Sequence, residues 1–406
     1  MYDAAIIGGG ISGLTAATIL GKKGYDVVVL ERNQTIGAHN EFQMQGFPAF
    51  EMSNLPIRIP RKYSVKKGHL WTSRKTRMSF ESSKPILFLT YRGSGKSIDK
   101  HLADLALNEG VTIQTSSELM KLDSGNLIKE ITAKDNKRYR TRCILAADGA
   151  NSLTRRLVGA DILKPKGIGL GAVLESIDVE PLEFHGAFSH HIAPLGYSYI
   201  IGHPDGKATV AVSIRPKHLE LSLAGYFTRT LKFFHSVIGN KKPTKFFSGM
   251  VTCGEGYHQL VHKNLLFIGE AGGFQDPILG FGMVPAIKSA ELACRIVNTA
   301  LTDNKNQGTF LEQLDRYDRI AKRNFFHHYD FKMRLLIRKH LLENLTDSQM
   351  NSLLQTLQGK EQQIEKVLTR GLEHIWPTLL SLILRNPFLL QFLTKALRSL
   401  IQTKTY

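Results

Sequence analysis

The chain has 406 residues, 42% of them apolar and 22% charged, with 35 glycines and only three cysteines. This is a globular composition with material for two or three domains, and it excludes a disordered, collagen-like or disulfide-stapled protein. Lys and Arg outnumber Asp and Glu by 53 to 35, a net charge of +18, which favours anionic partners such as nucleic acid, lipid headgroups or a phosphorylated substrate. Half of that surplus falls between residues 51 and 100, and Arg58, Arg61, Lys62, Lys66, Lys67, Arg74, Lys75 and Arg77 follow one another with no acid between. Cys143, Cys253 and Cys294 are widely spaced without a CxxC. Neither a disulfide framework nor a cysteine zinc site is expected, and the setting reads as intracellular. No signal-peptide pattern opens the chain, so a cytoplasmic location is expected.

Residues 2–8 form a short apolar run, 11–23 have helical spacing, and 27–30 form a second buried run closed by Glu31. Strand, glycine turn, helix and strand make one βαβ unit. An amphipathic helix is predicted over 97–109, stopped by Gly110, with strands near 111–115, 128–133 and 139–147. Residues 167–254 read as antiparallel β plus a helix over 217–238. The clearest hairpin is GYSYIIG–HPDGK–ATVAVSI, turned by Pro204-Asp205-Gly206. A buried strand at 265–268 precedes a helix at 283–300, and nearly everything from 307 onward reads as helical. The apolar segments 374–384 and 388–393 are interrupted by Arg385, Asn386 and Pro387, so they are too short to span a bilayer. With Lys395 and Arg398 beside them they suit a bilayer interface or the protein's own core.

The strongest motif is Gly8-Gly9-Gly10-Ile11-Ser12-Gly13, a GxGxxG between strand and helix. Gly8 allows the tight turn, Gly10 lets a pyrophosphate approach, Gly13 lets the helix pack closely, and the helix N-terminus offers N–H groups to phosphates. Glu31 follows at the end of the second strand, where its carboxylate binds ribose hydroxyls and repels a 2′-phosphate. The motif therefore selects FAD or NAD over NADP. His190-His191 beside the hairpin could supply a proton, although adjacent strand residues face opposite ways. His327-His328 cannot converge on a metal from a helix, and no metal site is expected. The basic 58–77 stretch, with Tyr63 and Trp71 interleaved, has the composition of a nucleic-acid surface. Beside a dinucleotide fold, a lipid-phosphate surface is the better reading, and no nucleic acid is expected.

Two later segments separate FAD from NAD. ILAADGANS (144–152) and LLFIGEAGGFQDPILGFGMVP (265–285) resemble the other two signatures of FAD-dependent oxidoreductases of the para-hydroxybenzoate hydroxylase type. The resemblance implies non-covalent FAD held by Gly8, Gly10, Ser12, Gly13, Glu31, Arg32, Leu119, Asp148, Gly269, Glu270, Gly280, Gly282 and Met283. Glu270 stands where the family usually has Asp. The helix opened by Gly280, Gly282 and Met283 is expected to point at the flavin ring, with Pro277 and Pro285 in bends around it. Within that superfamily the chain is most similar to the geranylgeranyl reductase family, including archaeal digeranylgeranylglycerophospholipid reductases. YDAAIIGGGISGLTAA, SIDKHLADLALNEG, IAPLGYSYIIGHPDGKATVAVS and the basic helical tail carry the likeness. Two departures stand out. Phe42 occupies the place of a family cysteine, and Gly95 the place of an arginine before the SIDKHL helix.

The fold expected is α/β (α+β overall): a FAD-binding Rossmann-like domain, an antiparallel β-sheet substrate domain and a helical C-terminal region. The FAD-binding domain is assigned to 1–50, 85–165 and 255–300, the substrate domain to 51–84 and 166–254, and the helical region to 301–406. The resemblance implies an FAD-dependent oxidoreductase that reduces carbon–carbon double bonds of an isoprenoid or phospholipid substrate. Electrons would come from NAD(P)H or ferredoxin, and attachment would be peripheral, on an anionic inner membrane face. Phe42, Tyr197 and Tyr199 are the expected substrate residues, and His190, His191 and Tyr197 the expected proton donors. The alternatives are an FAD monooxygenase or halogenase of the same fold, and a non-redox FAD-binding cyclase.

Overall fold

The structure, a computed structural model, describes residues 1–371 except 53, 61, 124, 163–166, 176–179, 217–218, 253–255 and 304–306; beyond 371 it describes only 374, 382–383, 385–390 and 394. Strands β1 (Tyr2–Ile7) and β2 (Val27–Leu30) are buried nearly throughout, as strands inside a parallel sheet are. Helix α1 (Ile11–Gly21) joins them and buries ten of its eleven residues, so it reads as apolar all round rather than amphipathic. Next come β3 (Met44–Pro48), β4 (Tyr63–Val65), β5 (Lys67–Thr72), β6 (Arg77–Glu81) and β7 (Leu87–Tyr91). Helix α2 (Ile98–Asn108) starts at Ser97, whose Oγ accepts the Lys100 N–H at 3.1 Å. It is followed by β8 (Thr112–Gln114), β9 (Leu119–Leu122), β10 (Glu130–Ala133), β11 (Arg138–Ala146) and the short α3 (Leu153–Leu157).

The chain then builds β12 (Gly167–Leu174), β13 (Glu183–Phe188), β14 (Tyr197–Gly202), β15 (Ala208–Ile214), α4 (Leu223–Phe233), α5 (His235–Ile238) and β16 (Pro243–Val251). It returns through β17 (Val261–His262), β18 (Leu265–Phe267) and α6 (Met283–Thr302). Helices α7 (Gln307–Ala321), α8 (Tyr329–Leu336), α9 (Asp347–Leu357) and α10 (Glu361–Arg370) complete the described chain. Lys322–Phe326 and Ile337–Leu342 form π-helical segments between the first three of these.

Three sheets result. The first runs β17-β18-β11-β1-β2-β8, with β10 and β9 extending from β11. Its β18–β11, β11–β1, β1–β2 and β2–β8 pairings are parallel. The second runs β16-β12-β15-β14-β13-β5-β6, and β3-β7-β4 form a small third sheet. The second sheet departs from the expectation of a wholly antiparallel one, because β5 pairs parallel with β13. Residues 63–65 leave that neighbourhood to pair with β7. The predicted interfacial segments 374–384 and 388–393 lie largely outside the described residues. No helix among the described residues is long and apolar enough to cross a membrane. In the basic stretch, Lys67 pairs with Glu183 and Arg77 lies over the Trp71 ring, while Arg58, Lys62, Lys66, Arg74 and Lys75 are exposed.

Arg155 in α3 is among the largest fully buried side chains. Its Nε donates to Ala271 O at 2.6 Å, Nη2 to Gln259 O at 2.8 Å and Nη1 to Asp161 Oδ1 at 2.9 Å. The guanidinium lies 3.5 Å from the Tyr257 ring centroid and 3.9 Å from that of Phe267. It ties the segment after β11 to the segments on both sides of β18. Removing it strands two buried carbonyls, a loss of about 3 kcal/mol. Arg155→Ala should lower the urea-unfolding midpoint of the FAD-loaded protein accordingly. Arg155→Lys should recover less than half, because one ammonium cannot reproduce the planar fork. An unchanged midpoint in Arg155→Ala would contradict this account.

Candidate active site

Ile7 pairs with Leu30 on one side and Ala146 on the other, so β1, β2 and β11 end level with one another. The segments that leave these ends, around Gly8, Glu31 and Asp148, therefore meet at one rim. They border a cavity of about 940 Å³ that continues past Gln275–Met283 to the faces of β12–β16, at the upper end of ordinary ligand pockets. At the rim, Gly13 lets α1 pass the turn, since a Cβ there would lie 2.0 Å from Gly8 O. A Cβ on Gly10 would meet nothing within 4 Å, so Gly10 faces open cavity. No side chain caps α1 at Gly10, which leaves first-turn N–H groups and their partial positive charge for an anion.

The rim carboxylates are held in place. Glu31 Oε2 accepts the Gly9 N–H at 2.8 Å, and Oε1 accepts from the Asn33 backbone at 2.8 Å and from its side-chain amide at 2.6 Å. Asn33 is a positioning residue that sequence reasoning missed; an Asx two residues after the acid was the available signal. Asp148 Oδ2 accepts from Thr154 N and Oγ1, both at 2.8 Å, while its buried Oδ1 has no hydrogen-bond partner among the described residues. Glu270 Oε1 is likewise buried and unpartnered. Burial pushes the Glu270 carboxyl from its ordinary 4.5 up to about 7, opposed by a Thr252 backbone hydrogen bond and by the Arg92 charge. Two orphaned carboxylate oxygens and an uncapped helix start suit a ligand bearing hydroxyls and phosphates, as FAD does.

Arg32, Ser12, Leu119, Gly280, Gly282 and Met283 also line the cavity. Gly269 supports the wall from behind: its N–H donates to Ser289 Oγ at 3.0 Å, and a Cβ there would come 2.4 Å from Ser12 Oγ. Helix α6 starts at Gly282 with no side-chain cap, so a second uncapped N-terminus meets the same cavity. Pro285 sits in its first turn, where no helical hydrogen bond is lost. Pro277 lies in the preceding loop, its carbonyl held by Arg338 Nη1.

Three sequence expectations change. Phe42 does not line the cavity. Its backbone is left-handed (φ +63), its side chain is 47% exposed, and Lys245 Nζ lies 3.4 Å from its ring centroid. The neighbouring Gln43, Met44, Gln45 and Gly46 line the cavity instead. At Gly95 the structure shows no cavity-lining residue, but an arginine that sequence reasoning did not single out stands three residues earlier. Gly95 is exposed, but Arg92 lines the cavity, forks onto Asp99 at 2.7 and 2.8 Å and donates to Gln45 Oε1 at 2.7 Å. Neither His190 nor His191 borders the cavity. They lie in a turn rather than a strand. His190 is occupied on both ring nitrogens, Nε2 at 2.8 Å from Leu345 O and Nδ1 accepting the Leu195 N–H at 3.1 Å, and His191 is exposed.

Tyr197 and Tyr199 do line the cavity, on one face of β14. Their ring centroids are 5.7 Å apart, and Phe188 and Phe184 of β13 stand 5.9 and 6.4 Å from them respectively. The Tyr197 hydroxyl donates to Leu279 O. Burial pushes the Tyr199 phenol up to about 12, so it stays protonated at neutral pH.

Comparison with known proteins agrees with this geometry. A family model described as FAD binding domain matches residues 1–213. Digeranylgeranylglycerophospholipid reductase 2 of Methanothermobacter thermautotrophicus is 25% identical over 393 residues, covering 94% of this chain and 98% of that protein. A geranylgeranyl bacteriochlorophyll reductase-like protein from Thermoplasma acidophilum superposes with a TM-score of 0.83 at 22% identity, over 97% of this chain and 99% of that one. A myxobacterial FAD-dependent halogenase superposes with a TM-score of 0.61 at 16% identity, over 95% and 97% of the two chains. With a family match across more than half its length and the rim carboxylates and glycines in place, the chain belongs to the FAD binding domain family and is an FAD-dependent oxidoreductase.

Proposed function

We propose that the protein reduces carbon–carbon double bonds of an isoprenoid lipid of the geranylgeranyl type. One observation carries this reading: the rim of glycines and carboxylates and an apolar sheet face share a single cavity. Phe184, Phe188, Tyr199, Ile201 and Ala211 line its far part, a wall suited to a branched hydrocarbon chain and to the exclusion of water. The names of the archaeal relative and the Thermoplasma structure point to the same substrate class. Bound FAD supplies hydride transfer. The chain supplies the rest. Glu31, Asp148 and Glu270 hold cofactor hydroxyls. The uncapped N–H groups at the start of α6 would stabilise negative charge on a flavin bound beside them. Tyr197, whose hydroxyl donates to Leu279 O in the loop that enters α6, is the proposed proton source. Exposed Arg58, Lys62, Lys66, Arg74 and Lys75 offer a cationic face to the anionic surface from which the lipid is drawn.

Glu270 gives a pH signature. Its carboxyl binds a proton more tightly in the folded apoprotein (about 7) than at its ordinary 4.5. Apoprotein stability therefore falls as pH rises from about 4.5 through 7, and stays low above it. The melting temperature of wild-type apoprotein should drop by a few degrees relative to Glu270→Gln between pH 5 and 8, and FAD should narrow that gap. Parallel profiles for the two proteins would reject this assignment.

The chemistry is tested under argon. Dithionite-reduced protein is mixed with geranylgeranyl lipid in anionic vesicles. The lipid should gain about 2 Da for each flavin reoxidised, and the rate should fall with salt and in neutral vesicles. Tyr197→Phe should slow turnover at least ~10-fold with unchanged FAD content. Flavin that stays reduced until air is admitted, with oxygen then appearing in the lipid, would establish a monooxygenase instead.

A further inference from the structure

On the face of the second sheet turned away from the cavity, β5 and β13 bring together three residues that the flavin site does not use. His69 and His185 are partners in the parallel register, and Glu183 lies two residues before His185 on the same face. Phe184 and Phe188 point the other way, into the cavity. The imidazole rings stack with centroids 4.5 Å apart. Glu183 Oε2 lies 3.4 Å from His69 Nε2 and 3.6 Å from His185 Nε2, and the three residues' ligand atoms all fall within 4.8 Å of one another. All three residues are buried.

The hydrogen bonding is uneven. His69 Nδ1 is bonded to Ser79 Oγ at 2.8 Å, which fixes the ring and turns Nε2 towards Glu183. Lys67 takes Glu183 Oε1, leaving Oε2 facing the two rings. His185, with a side chain only 7% exposed, has no hydrogen-bond partner on either ring nitrogen among the described residues. A buried imidazole with both nitrogens unspent needs an explanation.

The geometry points to a divalent metal site, with zinc as the fitting ion, ligated by His69 Nε2, His185 Nε2 and Glu183 Oε2. Zinc bonds of 2.0–2.2 Å in a tetrahedron place ligand atoms about 3.3 Å apart, and the two carboxylate–imidazole separations are already within a few tenths of that. The His69–Ser79 hydrogen bond is the outer contact that orients a metal-bound imidazole. Trp71 stacks on His185 at 6.2 Å, and Phe233 and Phe234 close edge-on over Trp71, giving the apolar shell such sites have. A water would complete the four ligands. The ion would clip β5, from the insertion after the first βαβ unit, to β13, more than a hundred residues later, at the parallel junction of this sheet. The ion takes no part in the flavin chemistry, because the flavin cavity lies on the opposite face.

The test uses tag-free, FAD-loaded full-length protein. Elemental analysis after extensive dialysis should find about one zinc per chain. His185→Ala and Glu183→Gln should each lose at least ~10-fold of it while keeping the flavin absorbance, which separates this site from the FAD reading. Should either variant fail to fold, wild-type protein stripped with a chelator decides the matter. Added Zn²⁺ should restore its melting temperature, and Co²⁺ should give the visible bands of a tetrahedral nitrogen–oxygen site. Wild-type protein that contains no metal and takes up neither ion overturns the proposal, as does metal retained in full by both variants.

Discussion

Level strand ends are the constraint on which the site depends. The parallel registers of β1 with β2 and β11 fix Ile7, Leu30 and Ala146 side by side. Whatever follows those residues must leave the sheet at one height. Parallel pairing also forces a crossover over the sheet, and α1 can make it closely only where Gly13 meets the Gly8 carbonyl. Packing and chemistry are thus one requirement: the glycine that lets the helix touch the turn also opens the N-terminus towards the cavity.

The second wall of the cavity is fixed by the helical tail. Asp276 Oδ2 accepts the N–H groups of Ile278 and Leu279, shaping the loop that enters α6. Arg334 in α8 grips the other Asp276 oxygen at 2.7 Å and Glu51 at 2.9 Å. Arg338 holds Pro277 O and Glu343, and Glu343 in turn pairs with Arg215 just beyond β15 at 2.6 Å. Buried ion pairs of this kind contribute little net stability but fix geometry, because breaking one leaves a charge uncompensated. The tail therefore sets where the start of α6 stands relative to the sheet that faces it.

How much of this was legible in the sequence follows from range. The βαβ unit, α2, the β14–β15 hairpin and α6 declare themselves through local periodicity and turn chemistry. Pairings between distant segments do not. Nothing local in KGHLWT says that it lies parallel to EFHGAF, so the His69–Glu183–His185 cluster was invisible. Phe42 was misplaced because its left-handed backbone turns the side chain away from its neighbours' cavity. His190 looked available because sequence cannot show that Leu345 and Leu195 occupy its ring. Arg92 was overlooked because the motif was read at a fixed spacing, whereas the arginine at the cavity stands three residues before Gly95, where the Asp99 carboxylate holds its guanidinium.

The central claim is that one cavity holds FAD at its rim and an isoprenoid chain against the aromatic face at the same time. Native mass spectrometry of the protein incubated with a geranylgeranyl lipid tests this most directly. The account predicts a complex carrying one FAD and one lipid, and predicts that Ala211→Trp, which fills the apolar half, loses the lipid and keeps the FAD. Lipid that binds only when FAD is absent, or that binds Ala211→Trp as well as the wild type, would contradict it.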